Sequence, residues 1–270
     1  MGKIVLTRTE EDNKSFIDCI LNQCVDGHTC VDITQLEKRF LPFVIDAPLL
    51  FPRFLGFDPS LVDIGKANPG GVIVTSRHAV PALPSSLKEY PFFVVGEAVA
   101  RALRAAGFCR ICKVSPCAAD LCAEILSLDE KNRGGFLYFR GKDVAFDFKN
   151  ALCEVDILLK EYIVYASDAV IDFPPLLLEF LASGEVENVV FFSSRAARHF
   201  VTLAEKHDVF AQIKGIIPLC ISDGVLKSVD TVFDAPGYVA RTPDLDGMAV
   251  LVREHFSAFG ESGAFDAVGK

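Results

Sequence analysis

Residues 189–200 read Val-Val-Phe-Phe-Ser-Ser-Arg-Ala-Ala-Arg-His-Phe, and this stretch decides the fold. Its apolar first four residues predict a buried strand, and Ser193 and Ser194 stand where a helix should begin. Residues 71–80 repeat the design as Gly-Val-Ile-Val-Thr-Ser-Arg-His-Ala-Val, so that Thr75 and Ser76 predict a second helix start. Because the first N–H groups of a helix carry partial positive charge, each copy predicts an anion site. Two copies in one chain indicate two halves that face a shared ligand.

Apolar strand patterns alternate with helical patterns along the rest of the chain. This alternation predicts an α/β fold with two doubly wound parallel-sheet domains.

No helix fits residues 41–59, which we interpret as a crossing between domains because four prolines interrupt them: Pro42, Pro48, Pro52 and Pro59. With a return crossing near Tyr165, residues 1–44 and 167–270 should form one discontinuous domain, and residues 45–166 the other. The patterns also predict a strand near residues 30–33, a helix from Ser76 and a helix from about Gly224.

The composition limits the classes of function. The chain has 270 residues, 51% of them apolar, which is enough for a full core and two domains. Its net charge of −9 argues against general binding to nucleic acids or anionic membranes. Since no apolar run approaches the ~20 residues that span a bilayer and the chain starts directly in a strand, we expect a soluble cytoplasmic protein without a signal peptide.

The nine cysteines include a cluster that could in principle bind a metal: Cys109, Cys112, Cys117 and Cys122. A zinc or iron–sulfur site is one interpretation of this cluster. However, Cys122 falls inside a predicted helix, and five residues turn a helix by roughly 140°, so that Cys117 and Cys122 would diverge. We therefore predict reduced thiols and no bound metal.

Most sequence signatures of catalysis or cofactor binding are missing. The chain has no G-x-G-x-x-G after a strand, no phosphate loop, no G-x-S-x-G turn and no H-x-x-x-H pair, so that no dinucleotide or metal is indicated. A serine hydrolase using Ser76 or Ser194 with a nearby histidine is an alternative, but both serines already have a role at helix starts.

The two halves place corresponding residues at strand ends. Arg8 and Arg140 each end a strand, Thr75-Ser76 corresponds to Ser193-Ser194, and Val95-Gly96-Glu97 corresponds to Ile221-Ser222-Asp223. Ligands of doubly wound sheets bind at the carboxyl ends of strands, so we expect these residues to line a cleft between the domains. Tyr165 adds a candidate proton donor; a strand residue with its hydroxyl in water is an equally simple interpretation of its position.

Short motifs occur in a fixed order along nearly the whole chain. They are Leu6-Thr7-Arg8, Val74-Thr75-Ser76-Arg77-His78-Ala79-Val80, Val95-Gly96 with the closing Gly107, Phe139-Arg140-Gly141, Val164-Tyr165, Phe192-Ser193-Ser194 and Ala240-Arg241-Thr242-Pro243. In this order and spacing they resemble the uroporphyrinogen-III synthase family. Val99-Ala100 and Ile221-Ser222-Asp223-Gly224-Val225-Leu226 stand where the family usually has threonines, so no catalytic threonine is assigned.

The resemblance implies two α/β domains joined by a two-stranded connector, with a wide cleft between them. It also implies the closure of linear hydroxymethylbilane to uroporphyrinogen III, with loss of water and inversion of the last ring, in haem biosynthesis. The electron-rich pyrrole supplies its own electron push, so no cofactor is expected, and Tyr165 is the candidate proton donor for the leaving hydroxyl. The substrate carboxylates should be held by Arg8, Thr75, Ser76, Gly96, Arg140, Ser193, Ser194 and Ser222.

The same resemblance predicts the partners. We expect a monomeric cytoplasmic lyase that binds hydroxymethylbilane, with hand-over of this substrate from the preceding pathway enzyme, and that binds no nucleic acid or membrane. The alternative is a non-catalytic two-domain protein that closes on a small anionic ligand.

Overall fold

The computed structural model describes residues 2–22, 33–62, 70–128, 134–144, 146–257 and 259. It contains two compact units. Unit 1 comprises Met1–Phe51 and Ala169–Lys270, and unit 2 comprises Pro52–Asp168. Among the described residues, every helix is too short or too polar to cross a membrane.

Strands and helices alternate along most of the chain. The strands are β1 (Lys3–Leu6), β2 (Val44–Asp46), β3 (Leu50–Phe54), β4 (Gly71–Val74), β5 (Phe92–Val95), β6 (Ile111–Ser115), β7 (Phe136–Gly141), β8 (Leu159–Ala169), β9 (Val186–Phe191), β10 (Ile217–Cys220) and β11 (Tyr238–Val239). The α-helices are α1 (Glu10–Asn22), α2 (Ile33–Phe40), α3 (Glu97–Ala105), α4 (Ala118–Leu126), α5 (Phe148–Cys153), α6 (Pro175–Ser183), α7 (Ser194–Lys206), α8 (Phe210–Ile213), α9 (Asp223–Leu226) and α10 (Leu245–His255). Short 3-10 helices lie at Leu41–Phe43, Pro59–Leu61, Arg77–Ala82 and Ser85–Leu87.

Unit 1 is built on a parallel sheet with the strand order β11-β10-β9-β1-β2. Successive side chains of a strand point to opposite faces, and both faces of β1 are buried. Val5 joins a core cluster with Phe200 of α7, whereas Ile4 joins a second cluster with Phe16 of α1. Helices therefore cover both faces of the sheet, which is the predicted doubly wound arrangement.

Unit 2 repeats this arrangement with the strand order β3-β8-β7-β4-β5-β6. The pairs β8–β7, β7–β4, β4–β5 and β5–β6 are parallel. Val72 and Val74 of β4 pack in a cluster with Leu103 of α3, and Ile73 packs on the other face with Leu121 of α4. The two units thus share one architecture, with the carboxyl ends of neighbouring strands at a common edge.

Both crossings of the chain between the two units lie further along the sequence than predicted. Residues 44–46, which the sequence assigned largely to the second domain, form β2 and pair with β1, so that they belong to unit 1. The return follows Asp168, because β8 continues to Ala169 beyond the predicted crossing after residue 166. β3 and β8 are neighbours in the sheet of unit 2. A two-stranded connector with a cleft beside it stays a prediction.

Two predicted helices differ from the structure, and one predicted strand lies mostly outside the described residues. The helix predicted from Ser76 is a 3-10 helix of six residues, because Pro81 lies inside it and Pro84 follows soon after, and neither can donate a backbone hydrogen bond. The helix predicted from about Gly224 is the four-residue α9. The strand predicted near residues 30–33 lies outside the described residues, apart from Ile33, which begins α2.

The cysteine cluster is divided between different environments. Cys117 is the N-cap of α4, and its Sγ accepts a hydrogen bond from the Asp120 N–H at 3.4 Å. Cys122 is buried one and a half turns later, and Cys109 and Cys112 are exposed. Within the described part of the chain, no three His, Cys, Asp or Glu side chains are placed to hold a metal ion. The absence of a bound metal in the purified protein stays a prediction.

Candidate active site

In each unit, the predicted site residues lie at the carboxyl edge of the parallel sheet. Thr75 and Ser76 follow β4, Gly96 follows β5, and Arg140 lies at the end of β7 beside Tyr165 of β8. These five residues are called the unit-2 edge. Arg8, Ser193, Ser194 and Ser222 follow β1, β9 and β10, and are called the unit-1 edge. Each edge is an expected ligand position for an open parallel sheet.

Tyr165 lies beside two residues that follow β4, Ser76 and His78. Its half-buried ring contacts the ring of His78, with the centroids 5.8 Å apart. Burial raises the pKa of Tyr165, and the neighbouring Ser76 side chain opposes this shift as a hydrogen-bonding partner. At neutral pH the side chain is therefore a protonated phenol, which is the state that a proton donor requires.

Ser76 caps the 3-10 helix as well as holding the phenol. Its Oγ accepts a hydrogen bond from the His78 N–H at 3.3 Å. A hydroxyl has one proton to donate, and the phenol oxygen of Tyr165 is a partner for it. The sequence predicted Ser76 and Tyr165 separately, and the structure brings them together.

A second phenol, which the sequence analysis missed, lies at the same edge. Tyr138 of β7 is only 2% exposed, and its hydroxyl lies 3.0 Å from the Thr75 Oγ1. Burial raises the pKa of Tyr138, the Thr75 hydrogen bond lowers it, and the proximity of Tyr165 raises it. The available signal was a single tyrosine within the apolar run of residues 136–139, because a buried phenol needs a hydrogen-bonding partner. Adjacent hydroxyls that follow β4 thus hold one phenol each.

Arg140 is engaged within its own unit. Its Nε lies 2.7 Å from the Glu161 Oε1, with both side chains mostly buried. Its Nη1 donates to the carbonyl oxygens of Gly141 and Lys142, at 3.0 and 3.1 Å. Since Glu161 neutralises this charge locally, substrate binding through Arg140 would have to compete with an existing ion pair. Glu161 is a neighbour that strand patterns alone did not indicate.

Gly96 begins helix α3 in a backbone conformation that favours glycine. Its φ is +80°, and an added Cβ would meet no atom within 4 Å, so that the restriction is conformational rather than steric. Its N–H donates to the Ser115 carbonyl at 2.9 Å, which ties β5 to β6. The N–H groups in the first turn of α3 are the feature at this position that could hold an anion.

At the unit-1 edge, Arg8 lies between an acid and a ring. Its Nη2 is 3.4 Å from the Asp12 Oδ1, and its guanidinium lies over the Phe192 ring at 4.5 Å from the centroid. Thr9 precedes the following helix; its Oγ1 accepts a hydrogen bond from the Asp12 N–H at 3.4 Å and donates to the Asp12 carboxylate at 2.9 Å. Arg8 is therefore fixed at the ends of β1 and β9, while part of its side chain stays exposed.

The serines of this edge bring the starts of two helices together. Ser193 is the N-cap of α7, and its Oγ accepts from the Ala196 N–H at 3.1 Å. Ser194 donates to the Gly224 carbonyl of α9 at 3.1 Å, and Ser222 is the N-cap of α9 without a side-chain capping bond. Four predicted residues of unit 1 thus lie at the ends of adjacent strands.

The hydrolase alternative finds no support in the geometry. His199 Nε2 lies 2.7 Å from the Val170 carbonyl oxygen, which occupies one ring nitrogen with backbone. The Ser194 hydroxyl is directed to the Gly224 carbonyl, and the Ser76 Oγ accepts a hydrogen bond from the backbone N–H of His78. Neither serine shows the serine–histidine hydrogen bond that activates a nucleophile.

A protein-family model described as "Uroporphyrinogen-III synthase HemD" matches residues 58–249. This chain belongs to the uroporphyrinogen-III synthase family. The matched region contains all of the candidate residues except Arg8. No curated protein matches the chain by sequence.

Solved structures of this family share the fold. The crystal structure of uroporphyrinogen-III synthetase from Helicobacter pylori 26695 superimposes with a TM-score of 0.55 at 16% identity, covering 93% of this chain and 98% of that one. A mutant uroporphyrinogen-III synthase from the extremely thermophilic bacterium Thermus thermophilus superimposes with a TM-score of 0.50 at 16% identity, covering 95% of this chain and 99% of that one. The likeness to these synthases therefore extends over both units.

Proposed function

We propose that this protein is a uroporphyrinogen-III synthase, which closes linear hydroxymethylbilane to uroporphyrinogen III with loss of water and inversion of the last ring. The observation that carries this proposal is the family match over residues 58–249. It favours the synthase over the alternative of a non-catalytic anion-binding protein. In chemical class the enzyme is a lyase, because water leaves as the new carbon–carbon bond closes the ring.

Tyr165 donates the proton that the departing hydroxyl needs. Its phenol is protonated at neutral pH because the ordinary pKa of tyrosine is about 10, and burial raises this pKa further. When the Ser76 hydroxyl donates to the phenol oxygen, the proton of Tyr165 remains available for the hydroxymethyl group of the substrate. The C–O bond breaks, water leaves, and the pyrrole nitrogen supplies the electron pair, which leaves a cationic pyrrole and a Tyr165 phenolate.

The proton returns when the macrocycle closes. Closure through the inverted ring first joins the cationic methylene carbon to the α-carbon of the last ring that already bears the bridging methylene. That older carbon–carbon bond then breaks, and the released methylene joins the other α-carbon of the ring, which loses its proton to the Tyr165 phenolate. The cycle consumes no proton and needs no oxidant or reductant. The Ser76 hydroxyl serves both steps in this proposal, because by donating to the phenol oxygen it stabilises the phenolate between them.

The substrate carboxylates are held by groups at the two edges. Helix α7 spans 13 residues and presents its first-turn N–H groups beside Ser193 and Ser194, and α3 does so beside Gly96. Arg8 adds a fixed positive charge that is partly exposed. These contacts orient the substrate so that closure through the inverted ring is favoured over direct closure, which is catalysis by positioning.

We further propose that the enzyme acts as a monomer in the cytoplasm and receives hydroxymethylbilane by hand-over from the preceding pathway enzyme. The motivation is the chemistry of the substrate, whose hydroxymethyl group is lost readily and which closes without help to isomer I.

The test is an isomer assay with the purified protein. Hydroxymethylbilane is generated in the same tube, the products are oxidised, and porphyrin isomers III and I are separated by chromatography. Isomer III should dominate with this protein, and isomer I should dominate in its absence. A product mixture unchanged by the protein would overturn the proposed function.

A further inference from the structure

The strand pairing beside Tyr165 is irregular. Strand β7 pairs with β8 in register from Phe136 to Arg140, and then the register shifts by one residue, so that Gly141 lies opposite Tyr165. Arg140 lies opposite Ile163, which leaves Val164 as the extra residue of β8. The Lys142 N–H donates to the Tyr165 carbonyl at 2.8 Å, immediately after the irregularity.

This shift changes the direction of the Tyr165 side chain. Strict alternation along β8 would direct Tyr165 to the face of Ile163, which is exposed. Tyr165 instead packs against the core cluster that contains Tyr162 and Val164. An extra residue in one strand of a pair is a known means of redirecting a side chain next to an active site.

The redirected ring lies directly over Gly141. A Cβ at Gly141 would come within 2.7 Å of the Tyr165 Cζ, and within 2.9 Å of its Cε2 and its hydroxyl oxygen. Contacts this short are not tolerated, so an atom must move. The clashing atoms are the far end of the tyrosine side chain, which is easier to move than the backbone of the paired strands.

We propose that Gly141 is a positioning residue, whose missing side chain leaves the space in which the Tyr165 ring lies while its hydroxyl meets Ser76. This inference rests on the proposed role of Tyr165 as proton donor. Gly141 contacts the donor and acts through it. A methyl group at this position displaces the phenol from Ser76 and from the leaving hydroxyl while the sheet stays intact.

The experiment compares Gly141→Ala in two backgrounds, the natural protein and Tyr165→Phe. The expected drop in kcat is about 10–100-fold in the natural background, because a displacement of about 1 Å at a reacting group costs up to that factor. KM and the melting temperature should change little. In the Tyr165→Phe background the same substitution should cost less than about 3-fold in kcat, since the phenol on which Gly141 acts is already gone.

Gly56→Ala is the matched control. Gly56 lies in the same unit, and a Cβ there would meet no atom within 4 Å. This variant should retain the kcat of the natural protein. An undiminished kcat in Gly141→Ala, or the same drop in both backgrounds, would overturn the proposal.

A second readout is independent of activity. Alkaline titration of the phenols by ultraviolet absorbance, with and without Tyr165, isolates the Tyr165 curve from those of the other four tyrosines. In the natural protein the midpoint of this curve, which is the pKa of Tyr165, should lie above the ordinary value of about 10. When Gly141→Ala is compared with the double variant Gly141→Ala/Tyr165→Phe, the pKa of Tyr165 should move back towards that value, because the ring becomes exposed. An unchanged pKa of Tyr165 in Gly141→Ala would contradict the positioning role of Gly141. If the titration shifts as expected but isomer III is never formed, the proposed function fails and the geometric inference stands.

Discussion

Removing the Tyr165 hydroxyl is the most direct test of the proposed mechanism. Tyr165→Phe keeps the ring, its packing over Gly141 and its contact with His78, and removes the only proton that the side chain can donate. General acid catalysis typically contributes 10²–10⁴-fold. The rate of isomer III formation should therefore fall by about that factor, provided that water does not take the place of the phenol.

The same substitution should change stability only slightly. The most that it removes is one neutral hydrogen bond, to Ser76, and such a bond contributes a net ~0.5–1.5 kcal/mol. For a chain of this size the melting temperature should fall by about 2–4 °C per kcal/mol. If the rate falls by the factor expected of general acid catalysis while the melting temperature falls only by this small amount, the Tyr165 hydroxyl has a chemical role and not merely a structural one.

Tyr138→Phe supplies the control for this comparison. It also removes a phenol that is hydrogen-bonded to a hydroxyl, that of Thr75, at the same sheet edge. Because Tyr138 is 2% exposed, its hydroxyl cannot contact the substrate directly. Tyr138→Phe should therefore cost as much stability as Tyr165→Phe, or somewhat more, and should retain turnover within about 3-fold, far from the loss that general acid catalysis predicts.

The assay measures initial rates of isomer III formation beside thermal melting of the same protein samples. Turnover of Tyr165→Phe within about 3-fold of the natural protein would refute the proton-donor role, since general acid catalysis is worth far more. Equal losses of turnover in Tyr165→Phe and Tyr138→Phe would refute it as well, because they would show a shared structural effect.

Further substitutions separate binding from structure. Ser194→Ala should raise KM, and Ser76→Ala should instead lower kcat because Tyr165 loses its partner; both are read from substrate-dependence curves. Ser193→Ala should cost about 0.5–2 kcal/mol in urea unfolding, because it removes the N-cap of α7. Burial raises the pKa of the Cys220 thiol to about 12, so the folded form holds this proton more tightly than the unfolded chain. The resulting stabilisation of the folded form is fully present below the unfolded pKa of about 8.5 and is lost as the pH rises towards the folded value. The urea midpoint should therefore fall over this pH window, and it should fall less steeply in Cys220→Val. Elemental analysis of protein purified without added metal should find no stoichiometric zinc or iron at residues 109–122.

Features set by neighbouring residues could be predicted from the sequence. The apolar run at residues 189–191 gave a buried strand, and Ser193 at its end gave the cap of α7, because both depend on residues within one or two turns. The helix predicted from Ser76 was wrong for an equally local reason: Pro81 and Pro84 limit the segment to a 3-10 helix.

Features set by strand order could not be predicted in this way. Tyr138 meets Thr75 across 63 residues of sequence because β7 lies beside β4, and no local pattern states this pairing. The register shift that brings Tyr165 over Gly141 likewise depends on how β7 and β8 align. The candidate residues at the strand ends were therefore accessible from the sequence, whereas their partners were not.

The duplicated hydroxyl pairs show how two similar sheet edges can serve different chemistry. In unit 1 the pair leads into a 13-residue helix, and its serines are occupied by the cap of α7 and the Gly224 carbonyl. In unit 2 the prolines stop the helix, and the pair holds the phenols of Tyr138 and Tyr165 instead. A long helix supports anion binding through its N–H groups, whereas a buried phenol supports proton transfer. Under the proposed mechanism, the unit-1 edge would therefore contribute only carboxylate binding, whereas the unit-2 edge would combine carboxylate binding beside Gly96 with the acid.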